Sequence, residues 1–252
     1  MHKVRLIARL DVKAPNLVKG IQLEGLRKLG DPSRFALDYY DQGIDEIIYM
    51  DIVASLFDRN SLLSIIERTT EDVFVPITVG GGLRTIDDVA RALRAGADKI
   101  AINTAAIKDP DFITQVARRF GSQCMVLSIE AKRCGQQWEA YYDNGREPSG
   151  KDVVAWAKRG EQLGAGEIMI TSVDREGGGK GFDVELVKAV TSCVGVPVIA
   201  SGGMGNLDHI TAVVESGRAD GVAMARVLHY GHLDVSQIRA HCLKTGVDVR
   251  HN

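Results

Sequence analysis

Two glycine-rich segments have the composition of turns that bind phosphate. Val79-Gly80-Gly81-Gly82 and Ser201-Gly202-Gly203-Met204-Gly205 each follow a short apolar run and precede a helical pattern. Glycine lets backbone N–H groups approach an anion at a helix N-terminus, where the helix dipole also favours negative charge. Asn103-Thr104-Ala105 and Ala225-Arg226 complete the two candidate pockets. Two such pockets predict a long substrate with a phosphate at each end; the alternative is that each turn is only a tight connection.

An internal repeat predicts the elements that position these turns. The segment Val75–Gly82 returns as Val196–Gly203, and Gly43–Ile48 returns as Gly164–Met169, both at an offset of 121 residues. Each half alternates short apolar runs with helical patterns, which is typical of βα units on a parallel sheet. We therefore predict an α/β fold, a single (β/α)8 (TIM) barrel domain over residues 1–252, with half-barrels at about 1–122 and 123–252. Active sites of such barrels lie at the carboxyl ends of the strands.

The predicted strands are short and evenly spaced. They cover residues 4–11, 46–51, 75–80, 98–103, 124–130, 167–172, 196–201 and 220–225. Apolar residues at helical spacing predict helices from Pro32 to Gly43, Thr85 to Ala95 and Gly150 to Leu163. Two long stretches, Lys13 to Gly30 and Lys132 to Pro148, are predicted as loops over the active face, where lids and binding loops occur.

The composition is that of a soluble globular protein. The chain has 252 residues, a hydrophobic share of 45% and a net charge of −2, which argues against a nucleic-acid or membrane partner. The four cysteines are scattered without metal-ligand spacing, so we expect reduced thiols and no metal or redox cofactor. The first residues lack the features of an export signal, and we expect a cytoplasmic protein.

Charged residues begin several of the predicted strands on their inward side. Because side chains alternate along a strand, Arg5 and Asp11 share one face of the first strand. The same parity defines a charged ring at the start of strands one, two, four and six: Arg5, Glu46, Lys99 and Glu167. Buried charges need partners, and two cations with two carboxylates satisfy that condition. The ring either plugs the barrel floor or forms a gate that excludes water and opens for a small neutral molecule. An apolar path above it is offered by Ile48, Ala101, Val126 and Met169.

Motifs spread over nearly the whole chain carry a family resemblance. They are Leu10-Asp11-Val12-Lys13, Val18-Lys19-Gly20, Gly30-Asp31-Pro32, Asp51-Ile52, Val79-Gly80-Gly81-Gly82, Ile102-Asn103-Thr104-Ala105-Ala106, Gly164-Ala165-Gly166-Glu167-Ile168, Asp174-Arg175 and Ala200-Ser201-Gly202-Gly203. In these motifs the chain resembles HisF, the cyclase subunit of imidazole glycerol phosphate synthase, a (β/α)8 protein of histidine biosynthesis.

The resemblance implies one subunit of a two-subunit glutamine amidotransferase. A glutaminase subunit would dock on the N-terminal face of the barrel, near Asp98, and its ammonia would cross the charged ring. At the other end the ammonia would meet a bis-phosphorylated ribonucleotide and give imidazole glycerol phosphate and AICAR. The residues that the resemblance assigns to this phosphorylated substrate are Lys19, Gly81, Gly82, Asn103, Thr104, Thr171, Glu176, Gly177, Ser201, Gly202, Gly203, Ala225 and Arg226.

The resemblance also implies two catalytic carboxylates. Asp11 would be a general acid/base, and Glu130 would work opposite it. The internal repeat supports this pair because it relates the two positions and projects them from opposite strands of one mouth. Making and cleaving bonds from ammonia and a ketone requires both proton removal and proton delivery. The alternatives are that Glu130 is a surface charge and that Lys19, instead of reaching a phosphate or closing as a lid, is a solvated lysine.

Four positions depart from the residues usual in this family. Arg9 stands where the family has cysteine, Glu130 and Glu176 where it has aspartate, and Arg226 where it has serine. A buried guanidinium needs an anionic partner, and we expect Glu130 or Glu176 to pair with Arg9.

These departures cluster in the candidate site, whereas the charged ring and both glycine-rich turns are kept. This pattern favours the HisF-like paralogues associated with acetamidino modification of surface-polysaccharide sugars, in which a separate sugar amidotransferase would take the ammonia. The alternatives are a true cyclase subunit of histidine biosynthesis and its sister sugar isomerase, also a doubled barrel with two phosphate sites.

Overall fold

The chain folds into alternating strands and helices. A computed structural model describes residues 3–53 and 62–251. The strands are β1 Arg5–Lys13, β2 Asn16–Ile21, β3 Glu24–Gly30, β4 Glu46–Asp51, β5 Ile77–Gly80, β6 Lys99–Ile102, β7 Met125–Cys134, β8 Gln137–Tyr142, β9 Glu147–Asp152, β10 Glu167–Ser172, β11 Val198–Ser201 and β12 Gly221–Met224. The helices are α1 Pro32–Asp41, α2 Leu63–Thr69, α3 Ile86–Arg94, α4 Thr104–Lys108, α5 Asp111–Phe120, α6 Val153–Leu163, α7 Val184–Thr191, α8 Asp208–Glu215, α9 Arg226–His229 and α10 Val235–Thr245.

Eight of the strands close into a parallel barrel. Around the barrel the order is β1, β4, β5, β6, β7, β10, β11 and β12, and β12 pairs again with β1. Every one of these neighbouring pairs is parallel. The predicted (β/α)8 barrel is therefore confirmed. Its strand carboxyl ends meet at one opening, which we call the mouth.

The two stretches predicted as loops instead form antiparallel hairpins. β2 pairs with β1 and β3 with β2, while β8 pairs with β7 and β9 with β8. The first hairpin turns at Gln22 and Leu23, whose φ angles are 51° and 65°. Positive φ at both central residues usually calls for Asn-Gly, so the sequence of this turn gave no hairpin signal. The second hairpin also shortens a predicted helix, because β9 continues to Asp152, which caps α6 at the Ala155 N–H.

The barrel separates two apolar regions by side-chain alternation. Outward residues of β1, such as Leu6, Ala8 and Leu10, pack in the large core beneath the helices. Inward residues form a smaller cluster along the barrel axis. Its barrel members are Ile7, Ile48, Met50, Ala101, Val126, Met169, Ile199 and Ala223. The four apolar residues expected above the charged ring belong to this inner cluster.

A buried histidine ties α9 to the first barrel strand. His229 Nε2 donates to the main-chain carbonyl of Arg9 at 3.1 Å, so Nδ1 is left to accept from the Tyr39 hydroxyl at 2.6 Å. The rings of His229 and Tyr39 are stacked, with centroids 5.8 Å apart. Burial, and then the charge of Lys19, lowers the pKa of His229 to about 4. The folded protein therefore needs the neutral imidazole.

This histidine should make stability depend on pH. Its folded pKa lies below the unfolded value, so its contribution is complete above about pH 6.5 and is lost as the pH falls towards 4. We expect the wild type to lose on the order of 3 kcal/mol more than His229→Gln across this interval. Urea unfolding of both proteins between pH 4 and pH 8 measures the difference.

The matched control is His232→Gln, because His232 is exposed. Its stability should follow the wild-type dependence on pH. Equal slopes for His229→Gln and the wild type would show that the His229 imidazole is not held neutral.

Candidate active site

The mouth of the barrel holds the two predicted carboxylates. Asp11 lies on β1 and Glu130 on β7, and their residues are 2% and 7% exposed. Inward alternation brings both side chains to the axis because the strands lie on opposite sides of the barrel. Glu130 is therefore not a surface charge.

Asp11 is held between two cations. Arg9 Nε donates to its Oδ1 at 2.9 Å, and Lys19 Nζ donates to its Oδ2 at 3.1 Å. Burial alone would raise the pKa of Asp11, but the charges of Arg9 and Lys19 outweigh burial and lower it to about 2. Asp11 is thus a carboxylate throughout the neutral range.

Glu130 has the opposite tendency. Its Oε2 accepts from the Gly145 N–H at 2.8 Å and from Asn103 Nδ2 at 2.9 Å. Burial raises the pKa of Glu130 to about 7, against the opposing effect of the Gly145 hydrogen bond and of the Arg9 charge. Near neutral pH a large fraction of this side chain carries a proton that it can deliver. Two carboxyl groups at one opening therefore differ in protonation state.

The expected partners of Arg9 were wrong. Arg9 pairs with Asp11 and donates through Nη1 to Thr171 Oγ1 at 2.9 Å and Ser201 Oγ at 3.1 Å; it makes no hydrogen bond to Glu130 or Glu176. Glu176 forms an ion pair with Lys19, and Glu130 accepts a hydrogen bond from the Gly145 N–H. The pairing depends on where the two hairpins fold, which the sequence did not predict.

Lys19 lies on β2 of the first hairpin, and its side chain is buried between the hairpin and the barrel mouth. Its side chain is 2% exposed and forms ion pairs with Asp11 and Glu176, so it is not a solvated lysine. The backbone of the hairpin also contacts the loop after β10, where the Gln22 N–H donates to the Glu176 carbonyl at 2.9 Å. Gly177 has a φ of 68°, and a Cβ there would lie 2.4 Å from the Gly20 oxygen. The first hairpin therefore lies over the mouth.

The first glycine-rich turn borders an open cavity of about 300 Å³, which we call the first cavity. Gly81 has a φ of 89°, and a Cβ at this residue would come within 2.1 Å of the Asp51 carbonyl oxygen, so only glycine fits. Lining residues from the predicted set are Gly81, Gly82, Asn103, Thr104 and Glu130. The amide of Asn103, expected at a phosphate, is used to hold Glu130 and the Tyr141 carbonyl.

The second glycine-rich turn borders a much smaller space, of about 10 Å³, which we call the second cavity. Arg226 Nη1 donates across it to the Gly177 carbonyl at 3.0 Å. Gly203 has a φ of 112°, and a Cβ there would lie 2.2 Å from the Gly181 oxygen. Lining residues from the predicted set are Glu176, Gly177, Ser201, Gly202, Gly203, Ala225 and Arg226. Thr171 does not line it and instead holds Arg9.

The charged ring is paired at the opposite end of the barrel. Arg5 contacts both Glu46 and Glu167, and Lys99 Nζ lies 2.9 Å from Glu46 and 3.0 Å from Glu167. Cations and carboxylates therefore alternate around the axis. Asp98, expected at a partner interface, is exposed at this end, and its Oδ2 accepts from the Ile77 N–H at 2.8 Å.

Sequence reasoning missed the contribution of the second hairpin. Asn144 lines the first cavity, and the neighbouring Gly145 N–H holds Glu130. Asp143, Asn144 and Gly145 all have positive φ, between 49° and 72°. The Asp-Asn-Gly composition is a signal for such a turn, but it does not say which strand the turn folds against.

Among the described residues, His, Cys, Asp and Glu form no group of three or more suited to a metal ion. Within the same ranges, none of the helices combines the length and apolar character required to span a membrane.

Comparison with known proteins identifies the family. The profile of the family described as Histidine biosynthesis protein matches residues 5–234. The imidazole glycerol phosphate synthase subunit HisF of Legionella pneumophila is 63% identical over 209 residues, which cover 82% of this chain and 99% of that protein. The chain belongs to the HisF family. The HisF subunit of Myxococcus xanthus strain DK1622 is 48% identical over 246 residues, 98% of this chain and 97% of that protein.

These relatives correct the preferred interpretation of the sequence. The assignment to polysaccharide modification was wrong, because both relatives carry the name of the imidazole glycerol phosphate synthase subunit. A separate sugar amidotransferase likewise finds no support. The four unusual residues at the mouth of this HisF-family barrel were given more weight than the agreement along the rest of the chain.

Removal of Lys19 from its buried ion pairs should lower the free energy of unfolding of this HisF-family barrel by several kcal/mol. Lys19→Met leaves Glu176 buried without its cation, and we expect the free energy of unfolding to fall by about 3 kcal/mol. Lys19→Met/Glu176→Met removes both charges and should be destabilised less than the sum of the two single changes. Urea unfolding of the four proteins measures this coupling.

Arg68→Met is the matched control because it breaks an ion pair with Asp31 in which both side chains are about half exposed. It should cost less than about 1 kcal/mol. Additive effects of Lys19→Met and Glu176→Met would contradict the ion pair between Lys19 and Glu176.

Proposed function

We propose that this chain is the cyclase subunit of an imidazole glycerol phosphate synthase. It takes ammonia and a bis-phosphorylated ribonucleotide and releases imidazole glycerol phosphate and AICAR. The observation that carries the proposal is the pair of buried carboxyl groups on opposite strands between two glycine-rich turns, with the pKa of one lowered and that of the other raised. The names of the two HisF relatives support the same reaction.

The mouth suits the steps of this chemistry. Ammonia adds to the ketone, whose oxygen leaves as water, and ring closure then breaks the C–N bond to AICAR. These steps require a base that removes protons and an acid that returns them. In the proposed reaction Asp11 accepts a proton, and Glu130 delivers one. The glycine-rich turns offer backbone N–H groups to the phosphates, with Arg226 at the second turn. The first hairpin, which lies over the mouth, excludes water from the reacting centre.

The direct test is turnover of the bis-phosphorylated ribonucleotide by the purified chain with ammonium salt. Asp11→Asn and Glu130→Gln should each lower kcat by about 100- to 10,000-fold, the usual contribution of a positioned acid or base. Glu147→Gln is the matched control, because Glu147 is an exposed carboxylate on the second hairpin. Absence of turnover in the folded wild type would reject the cyclase assignment.

The reaction should also report the state of Glu130. Because its pKa is raised to about 7, the acid form predominates below pH 7 and is lost above it. At constant free ammonia we expect kcat/KM for the ribonucleotide to fall as the pH rises through about 7. Any activity left in Glu130→Gln should lack this decrease. The same decrease in the variant would assign the titration to another group.

We further propose that a glutaminase subunit docks on the N-terminal face of the barrel, with Asp98 at the interface. The charged ring supports a route for neutral ammonia, since paired ions close the floor and the inner apolar cluster lies above them. Lys99→Met breaks two of the four pairs. With a purified glutaminase partner, glutamine-dependent turnover should therefore fall severalfold.

Turnover supported by ammonium salt should change little in Lys99→Met, because Lys99 lies at the opposite end of the barrel from the mouth. Lys158→Met, at an exposed position on α6, is the control for loss of a lysine. Equal losses with glutamine and with ammonium salt would argue against the ring as an ammonia gate.

A further inference from the structure

Arg9 is a cation enclosed within the barrel. Its side chain is 3% exposed, and the guanidinium is fixed by Asp11, Thr171 and Ser201. These partners lie on β1, β10 and β11, so Arg9 joins three strands of the barrel. Its main-chain carbonyl is fixed as well, by His229. The position of the guanidinium is therefore set before any ligand arrives.

Part of the hydrogen-bonding capacity of Arg9 is unused. Arginine has five N–H donors, of which one lies on Nε and two on each terminal nitrogen. Nε donates to Asp11, and Nη1 donates to Thr171 and Ser201. Among the described residues, Nη2 makes no hydrogen bond, and it is not one of the fully buried polar atoms left without a partner. Nη2 therefore reaches the space of the cavities that Arg9 lines, where an oxygen of a ligand can accept a hydrogen bond from it.

The same side chain borders both cavities. Arg9 lines the first cavity together with Asn103 and Glu130, and it lines the second cavity together with Ser201 and Gly202. A substrate with one phosphate at each glycine-rich turn must cross Arg9 between its two ends. The segment between the phosphates carries the keto group that ammonia attacks and the sugar hydroxyls, and the oxygens of these groups accept hydrogen bonds.

We propose that Arg9 binds the substrate directly, with Nη2 donating a hydrogen bond to a hydroxyl or keto oxygen of the segment between the two phosphates. This inference rests on the proposed cyclase function. Arg9 is then more than the counter-ion of Asp11: it fixes the reacting part of the substrate beside that carboxylate. The competing explanation is that Arg9 only shapes the mouth and neutralises Asp11.

The experiment measures binding without ammonia, so that no turnover occurs. Calorimetry gives the affinities of wild type, Arg9→Gln and Arg9→Lys for the bis-phosphorylated ribonucleotide and for inorganic phosphate, which probes the terminal pockets alone. Arg9→Gln should bind the ribonucleotide about 10- to 100-fold more weakly, as expected for a hydrogen bond from a charged group. Its affinity for inorganic phosphate should stay at the wild-type level.

Arg9→Lys keeps the charge beside Asp11 but lacks the second terminal nitrogen of the fork. It should also lose ribonucleotide affinity and keep phosphate affinity, and it serves if Arg9→Gln does not fold. Arg133→Gln is the matched control, because Arg133 is an exposed arginine that pairs with Glu185. It should bind both ligands as the wild type does.

The outcomes separate the two levels of the proposal. Equal losses for ribonucleotide and phosphate would mean that Arg9 only shapes the mouth, and unchanged ribonucleotide binding would mean that Arg9 does not touch the substrate; either result overturns the inference. In both cases wild-type turnover leaves the cyclase function standing. A wild type that neither binds nor converts the ribonucleotide would overturn the proposed function and the Arg9 contact with it.

Discussion

A closed parallel barrel sends every second strand residue into an interior that water barely reaches, so any charge placed there must find a partner. This constraint acts at both ends of the axis. At the floor, Arg5 and Lys99 alternate with Glu46 and Glu167, and each ion contacts two of opposite sign. Between the ends, the inner cluster is apolar and its strand neighbours Thr78 and Ser128 are uncharged, because no partner is available to a lone charge at that depth.

The same constraint explains why the first hairpin lies over the mouth. Asp11 and Glu176 are both buried, and of these two carboxylates Arg9 forms an ion pair with Asp11. Lys19 supplies the missing charge, but it is carried on β2, which must fold back onto β1 to bring it there. The hairpin that covers part of the mouth therefore also supplies the cation that pairs with Glu176. Main-chain contacts at Gln22 and Gly177 also hold the hairpin against the loop after β10.

The sequence predicted features that follow from a fixed period and missed those that depend on long-range pairing. Strand parity grouped Arg5, Asp11 and Glu130 on inward faces because side chains alternate strictly along a strand. The first hairpin escaped prediction because Gln22-Leu23 is not a recognised turn pair. The second contains an Asp-Asn-Gly turn signal, which does not say which strand the turn folds against. Without the hairpins, the partners of Arg9 could not be chosen among three carboxylates. The role of each site residue and the boundary between half-barrels remain predictions.

Burial raises the pKa of Glu130 to about 7, and the charges at the mouth do not cancel that effect. Arg9 and Lys19 balance Asp11 and Glu176, so the buried centre is neutral while Glu130 keeps its proton. Ionising Glu130 would add an uncompensated negative charge, held by only one backbone N–H and one amide. In the proposed reaction the phosphates bind at the two turns, through backbone N–H groups and Arg226. The two central cations, which are already paired with carboxylates, then lie beside the part of the substrate between the phosphates.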